Sequence, residues 1–266
     1  MGDSPRTFRL AHASRGATVD PGSLPLPCAV TRDWAWGSAT GAGVRICLID
    51  SGVDTSHAGF TRPITTLTVS DDDVVPDDLG DQAGHGTACA GVIRAVAPDC
   101  ELTSVRVLGG GLHGRGEALL AALEWAIERR FPLVNLSLST RRAEHKEALH
   151  DLVDRAYFAG VTVVASAHNR PVRSYPWHFP SVISVGSHDL DVADRIEYNP
   201  DPPAEFFARG IGVEVPLPGG GTSRLTGNSF ATPHITGFCA RVLQRHPGFA
   251  TGQLKHVLAA IADNRT

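Results

Sequence analysis

Apolar and polar positions along this chain follow two periods. After a polar opening that turns Pro-rich (Pro21, Pro25, Pro27), short unbroken apolar runs alternate with stretches whose apolar residues recur every three or four positions. The runs predict buried strands at Val44–Ile49, Leu102–Val107, Leu133–Leu136, Val161–Ala165 and Val182–Val185. The helical spacing predicts helices from near Gly84 to Val92, over Glu117–Glu128 and over Ala143–Phe158, with two more at 230–245 and 252–262. Gly219-Gly220-Gly221, between two extended stretches, predicts a hairpin tip. Strands separated by helices imply right-handed crossovers and a parallel sheet covered on both faces. The expected organisation is an N-terminal arm at residues 1–27 and one α/β domain at 28–266.

Composition narrows the function classes. Of the 266 residues, 42% are hydrophobic and 20% charged, enough for a sizeable core. The net charge of −4 supplies no global basic field for nucleic acid or anionic lipid. No run of about 18 apolar residues occurs, so no membrane-spanning helix is expected. The five cysteines, at 28, 47, 89, 100 and 239, are odd in number and form no CxxC pair. They read as buried, reduced thiols. Met1–Asp20 has scattered charges and no apolar signal core. Both features lead to the expectation of a cytoplasmic protein.

In parallel sheets, ligands bind beyond the carboxyl ends of the strands. Asp50 closes the first strong strand, His85 opens a helix between Gly84 and Gly86, Asn169 follows the strand ending at Ala165, and Ser229 opens the helix after Gly227. Alone, each has a plain structural reading as a turn residue, a satisfied core imidazole or a helix cap. Together they put an acid, an imidazole, an amide and a hydroxyl on one rim, which is the parts list of acyl transfer.

The flanks of these residues resemble the subtilisin-like serine proteases, the subtilases. The resemblance is carried by Asp50-Ser51-Gly52-Val53-Asp54, His85-Gly86-Thr87, Asn135-Leu136-Ser137-Leu138 and Gly227-Asn228-Ser229-Phe230-Ala231-Thr232-Pro233-His234. Tyr175-Pro176 followed by Pro180–Gly186 adds to it, and similarity runs from about residue 30 to 262. It implies a three-layer αβα subtilisin-like fold with a mainly parallel central sheet. It also implies a Ser-His-Asp triad in the chain order known from subtilisin. Ser229 is then the nucleophile, His85 its base and Asp50 the group that orients the imidazole, while Asn169 donates to the oxyanion. Pro233 is expected in the first helical turn, where it costs no hydrogen bond. Ser229 and His85 are both expected at the rim, so replacing either should leave the fold intact.

The resemblance also assigns substrate binding to Leu112, His113, Gly114, Ser137, Leu138, Ser139, His168 and Ser174. Family members generally have glycine where Ser139, His168 and Ser174 stand. Filling those positions reduces and polarises the pocket, so small or acidic side chains are expected there in preference to large aromatic ones. Cys89, four residues after His85, reads as a buried thiol rather than a zinc ligand. Asp71–Asp73, Asp77, Asp78 and Asp81 lack the ordered spacing of a calcium loop and read as a solvated loop. Many family members insert a calcium loop into the helix after the histidine, and Ala88–Pro98 shows no such insertion. No metal and no cofactor are therefore expected.

With only 27 residues ahead of the domain, no room is seen for a folded prosegment. Limited processing of a specific intracellular protein or precursor peptide is the expected activity. Transpeptidation on a precursor peptide and a catalytically silent binding module are the alternatives. The partner expected is a peptide or protein substrate, with no nucleic acid and no membrane; the residues do not indicate an oligomeric state.

Overall fold

The apolar run after Gly43 forms strand β1 (Arg45–Asp50) in the interior of a nine-stranded sheet. The structure, a computed structural model, describes residues 29–265, so the expected arm at 1–27 lies outside them. Residues 31–266 make one compact unit. The elements between are the short helix α1 (Arg32–Ala35), β2 (Ile64–Ser70), β3 (Asp73–Pro76), α2 (His85–Val96), β4 (Glu101–Arg106), α3 (Gly116–Glu128), β5 (Leu133–Leu136), α4 (Lys146–Phe158) and β6 (Thr162–Ser166). Beyond them follow β7 (Ile183–His188), β8 (Glu197–Tyr198), β9 (Phe206–Arg209), the hairpin β10 (Val213–Pro216) and β11 (Thr222–Leu225), and helices α5 (Asn228–Arg245) and α6 (Thr251–Ala260).

The sheet order is β3-β2-β4-β1-β5-β6-β7-β9-β8. The seven strands from β2 to β9 pair in parallel, and only the edge strands β3 and β8 run antiparallel to their neighbours. Strand parity sorts the side chains into layers. Cys47 and Ile49 of β1 join Val134 and Leu136 of β5 in the core beneath α3 and α4. Ile46, Leu48 and Asp50 have the other parity and face the layer built by α2 and α5, which pack on each other. The molecule is thus a three-layer αβα structure. β1 pairs with β4 on one side and β5 on the other, so the winding reverses there and opens a crevice at its carboxyl end. Asp50 stands at that end.

Every strand and helix named from the sequence is present within a few residues. The structure adds the β2–β3 and β8–β9 pairs, α1 and two short 3-10 turns. The acidic stretch at 71–73 is a hairpin turn, with Asp71 and Asp72 in the left-handed region at φ 47° and 69°. Short Asx side chains tolerate that conformation.

Candidate active site

Asp50 is fully buried, and its Oδ1 accepts from the Ser51 backbone N–H at 2.8 Å and from His85 Nδ1 at 2.7 Å. Its Oδ2 is buried with no partner. A buried carboxylate so sparsely bonded depends on the imidazole for most of its compensation. Burial pulls the His85 imidazole down and the Asp50 charge pushes it up; the carboxylate wins, so protonated His85 is favoured relative to an ordinary histidine.

His85 is brought to Asp50 by an unusual helix start. Gly84, in the left-handed region at φ 78°, caps α2 without a side chain. The capping is done instead by Asp81. Its Oδ1 accepts from Ser51 Oγ (2.7 Å), Ala83 N (3.0 Å) and Gly84 N (2.8 Å), and its Oδ2 from Thr87 N (2.8 Å) and Thr87 Oγ1 (2.5 Å). Ser51 Oγ in turn accepts from Gly86 N at 2.9 Å. Gly86 has to be glycine, because a Cβ there would run into the Gly52 carbonyl. The loop after β1 and the first turn of α2 are therefore one welded unit. Neither Asp81 nor Ser51 stood out in the sequence, where Asp81 looked like part of a loose acidic loop.

Ser229 is the second residue of α5, half-buried, and its backbone N–H lies in the first turn, where no intrahelical acceptor exists. Pro233 is not in that turn, which corrects the sequence-based expectation. It sits inside the helix at the position whose N–H would bond the Ser229 carbonyl. That carbonyl is instead taken up by Ser137 Oγ at 2.8 Å and by the Cys89 thiol at 3.5 Å. Ser137 accepts from Asn135 Nδ2 (3.0 Å), and Asn135 Oδ1 accepts from Thr236 Oγ1 (2.7 Å). The missing amide hydrogen thus ties the Ser229 backbone to β5. Ser137, assigned to the substrate wall, is also an anchor of the Ser229 main chain.

Asn169 is exposed, and its Oδ1 accepts from the Asn228 backbone N–H at 2.8 Å, which leaves Nδ2 as the free donor. A Cβ on Gly227 would lie 3.2 Å from Ser229 Oγ and 3.4 Å from Asn169 Nδ2. The bare Gly227 therefore keeps open a space that the hydroxyl and the amide both face. Asn228 binds the parts together. Its side chain accepts from Ser187 N (2.9 Å) and donates to the carbonyls of Ala167 (3.3 Å) and His168 (3.2 Å). Its role had no signal in the sequence beyond adjacency to Ser229.

All four residues meet at one cleft. His85, Ser229 and Asn169 line it, with Asp50 behind His85, and its volume is about 730 Å3. Among the described residues Ser229 Oγ makes no hydrogen bond, as is common before substrate closes such a site. Leu112, His113 and Gly114 lie on its wall, as do Leu138, Ser139 and His168. Ser174 does not: it is fully buried, donates to Ser139 Oγ at 3.0 Å and accepts from Trp177 Nε1 at 2.8 Å. The opposite wall includes Leu217 and Leu225 of the β10–β11 hairpin, whose tip is held by Asp54 Oδ2 accepting from Gly219 N at 2.7 Å.

Asp50, His85 and Cys89 offer potential ligand atoms within 4.8 Å of one another. The donor set does not suit a metal: Nδ1 is engaged with Asp50, and burial pushes the Cys89 thiol up, so it stays protonated. Two acids of the 71–81 stretch, Asp77 and Asp81, are committed as well. Asp77 accepts from Arg106 Nε and Nη2, each at 2.9 Å, Asp81 is saturated by five donors, and α2 runs unbroken from His85 to Val96. EDTA is therefore expected to leave the melting temperature unchanged. A fall of more than about 3 °C, the scale of 1 kcal/mol of lost ligand-linked stability in a domain this size, would show a bound ion.

Comparison with known proteins agrees with this geometry. The sequence model of the Subtilase family matches residues 41–266. Subtilisin E of Bacillus subtilis (strain 168) is 30% identical over 239 residues, which are 84% of this chain and 61% of that protein. Subtilisin from Bacillus pumilus is also 30% identical, over 84% of this chain and 85% of its own length. The chain thus spans about three fifths of the first of these relatives. Among solved structures, a cold adapted subtilisin-like serine proteinase superposes with a TM-score of 0.71 at 27% identity, covering 86% of this chain and 87% of that one. Sphericase does so with a TM-score of 0.72 at 24% identity, over 82% of each chain, a likeness of fold. The matched range contains Asp50, His85, Asn169 and Ser229, and the chain belongs to the subtilase family.

Proposed function

We propose that this protein is a serine endopeptidase that works through an acyl-enzyme, with limited processing of a specific intracellular protein or precursor peptide as its task. The observation that carries the catalytic reading is the 2.7 Å Asp50–His85 contact at a cleft shared with Ser229 and Asn169. In the proposed reaction His85 takes the Ser229 proton as Oγ attacks the substrate carbonyl. The oxyanion that forms is met by Asn169 Nδ2 and the Ser229 backbone N–H, aided by the positive end of α5. His85 then gives its proton to the leaving amine, and water cleaves the acyl-enzyme by the same route in reverse. Asp50 keeps the imidazole's Nδ1 protonated, so that Nε2 is the basic nitrogen.

What supports a cytoplasmic setting is thiol usage. Cys47, Cys89, Cys100 and Cys239 are all buried and free. Among the described residues, no helix is long and apolar enough to cross a membrane. Cell fractionation tests the location.

Labelling by a fluorophosphonate tests the catalytic reading: wild type should be labelled and Ser229→Ala should not. Folded wild type that resists labelling would favour a silent module. A pH profile adds a second check. The base works only when neutral, so activity falls as pH drops through the raised His85 value. The acid limb of kcat/KM is therefore expected above the ordinary imidazole value of about 6.5. By linkage the same shift stabilises the fold fully below about pH 6.5, and this is lost as pH rises through the raised value. A limb at or below about 6.5 would contradict the assignment.

A further inference from the structure

The chain as a whole is acidic, at −4, yet no Asp or Glu lies on the wall of its cleft. The charged groups there are Arg115 and Arg142, with the imidazoles of His113 and His168 beside them. A second depression of about 530 Å3 meets the first at His168 and Asn169 and extends the same character through Arg170, Arg173 and His178. Arg142 is countered by Glu144 at 3.1 Å, with both side chains solvated. Among the described residues, Arg115, Arg170 and Arg173 make no ion pair, although Arg173 also borders a depression holding Glu147 and Asp151. The local field is visible on His178, whose imidazole is held down first by burial and then by Arg173.

Hydrogen-bond polarity points the same way. His168 Nδ1 accepts from the Arg170 backbone N–H at 3.0 Å, so the ring proton of the neutral form is on Nε2. Ser139 Oγ accepts from Ser174, which itself accepts from Trp177, so the Ser139 proton is left to donate. Both side chains line the cleft and both offer it hydrogens rather than lone pairs. His168 also precedes the oxyanion donor. Ser139 and His168 line the same cleft as Asn169, beside the place where a substrate carbonyl would meet its Nδ2.

We infer that the cleft selects an acidic peptide, with an Asp or Glu immediately before the scissile bond seated against Ser139 and His168, and with Arg170 and Arg173 as countercharge. This rests on the endopeptidase reading. A carboxylate satisfies both donors and the guanidinium field at once. A lysine there meets no acceptor charge, and an aromatic ring leaves both donors unpaired.

The test uses matched peptides that differ only at that position, with active enzyme counted by fluorophosphonate titration. At low salt, kcat/KM for Glu should exceed that for isosteric Gln by about two- to fivefold, the upper range for one exposed charge pair. The advantage should shrink as salt rises. Arg170→Gln with Arg173→Gln, both exposed positions, should bring the Glu-to-Gln ratio toward one with circular dichroism unchanged. Gln equal to Glu, or a preference for Phe or Lys, overturns the inference while leaving the peptidase reading in place. Absence of labelling overturns both.

Discussion

Ser229→Ala is expected to abolish turnover, by on the order of 10⁶ in kcat, the scale that subtilisin's own nucleophile and base set. It should do so with an unchanged melting temperature, because Ser229 Oγ has no hydrogen-bond partner to lose and alanine keeps the main-chain carbonyl that Ser137 Oγ and the Cys89 thiol anchor. His85→Ala should lose comparable activity but behave differently in a thermal melt. Its side chain answers most of the Asp50 charge, which is fully buried and has one oxygen with no partner. Stripping a buried charge of its partner costs roughly 3–5 kcal/mol. In a domain of this size that lowers the melting temperature by on the order of 5–10 °C. The rim location inferred from sequence therefore protects the fold in the serine variant and not in the histidine variant. Equal melting temperatures for the two variants would show that Asp50 is compensated in some other way; residual turnover within about a hundredfold of wild type would sink the triad itself.

Asn169→Ala should lower kcat by roughly 10²–10³, again the scale known from subtilisin's oxyanion amide, with KM little changed. The reason is timing: Nδ2 faces the space beside Gly227, and the negative charge that it answers exists only once Ser229 has attacked. A loss below about threefold would mean that the amide does not meet the oxyanion. Because Asn169 Oδ1 also accepts from Asn228 N, Asn169→Asp separates the two roles. It keeps the acceptor, removes the donor and should be as inactive as the alanine variant.

The legible part of this fold was the part in which burial dictates the residues. β1, β5 and β6 are buried along nearly their whole length and therefore read as continuous apolar runs. β2 was missed because Ile64-Thr65-Thr66-Leu67-Thr68-Val69-Ser70 is half-exposed and rich in threonine, with its partner reached through two aspartates that read as part of a solvated loop. Asp50, His85, Asn169 and Ser229 were legible as candidates because each stands, by residue type, at or just past the end of a strand or helix. Their supports were not. Asp81, Ser51 and Asn228 act through backbone amides of other segments, and nothing in a linear pattern marks which amides will be left over. Pro233 shows the same limit, since its consequence depended on where the helix began, and one turn changed its meaning.

The bond from the Asn228 amide to Asn169 carries a consequence for how this site can change over time. The Asn169 side chain is referenced to the residue beside Ser229 rather than to its own loop. The exposed Arg170, Pro171 and Arg173 carry no part of that bond, so replacing them leaves the Asn169–Asn228 contact in place. On the proposed reading, specificity and catalytic power are separable inheritances in this molecule, and a lineage could retune what it cuts while leaving untouched how it cuts.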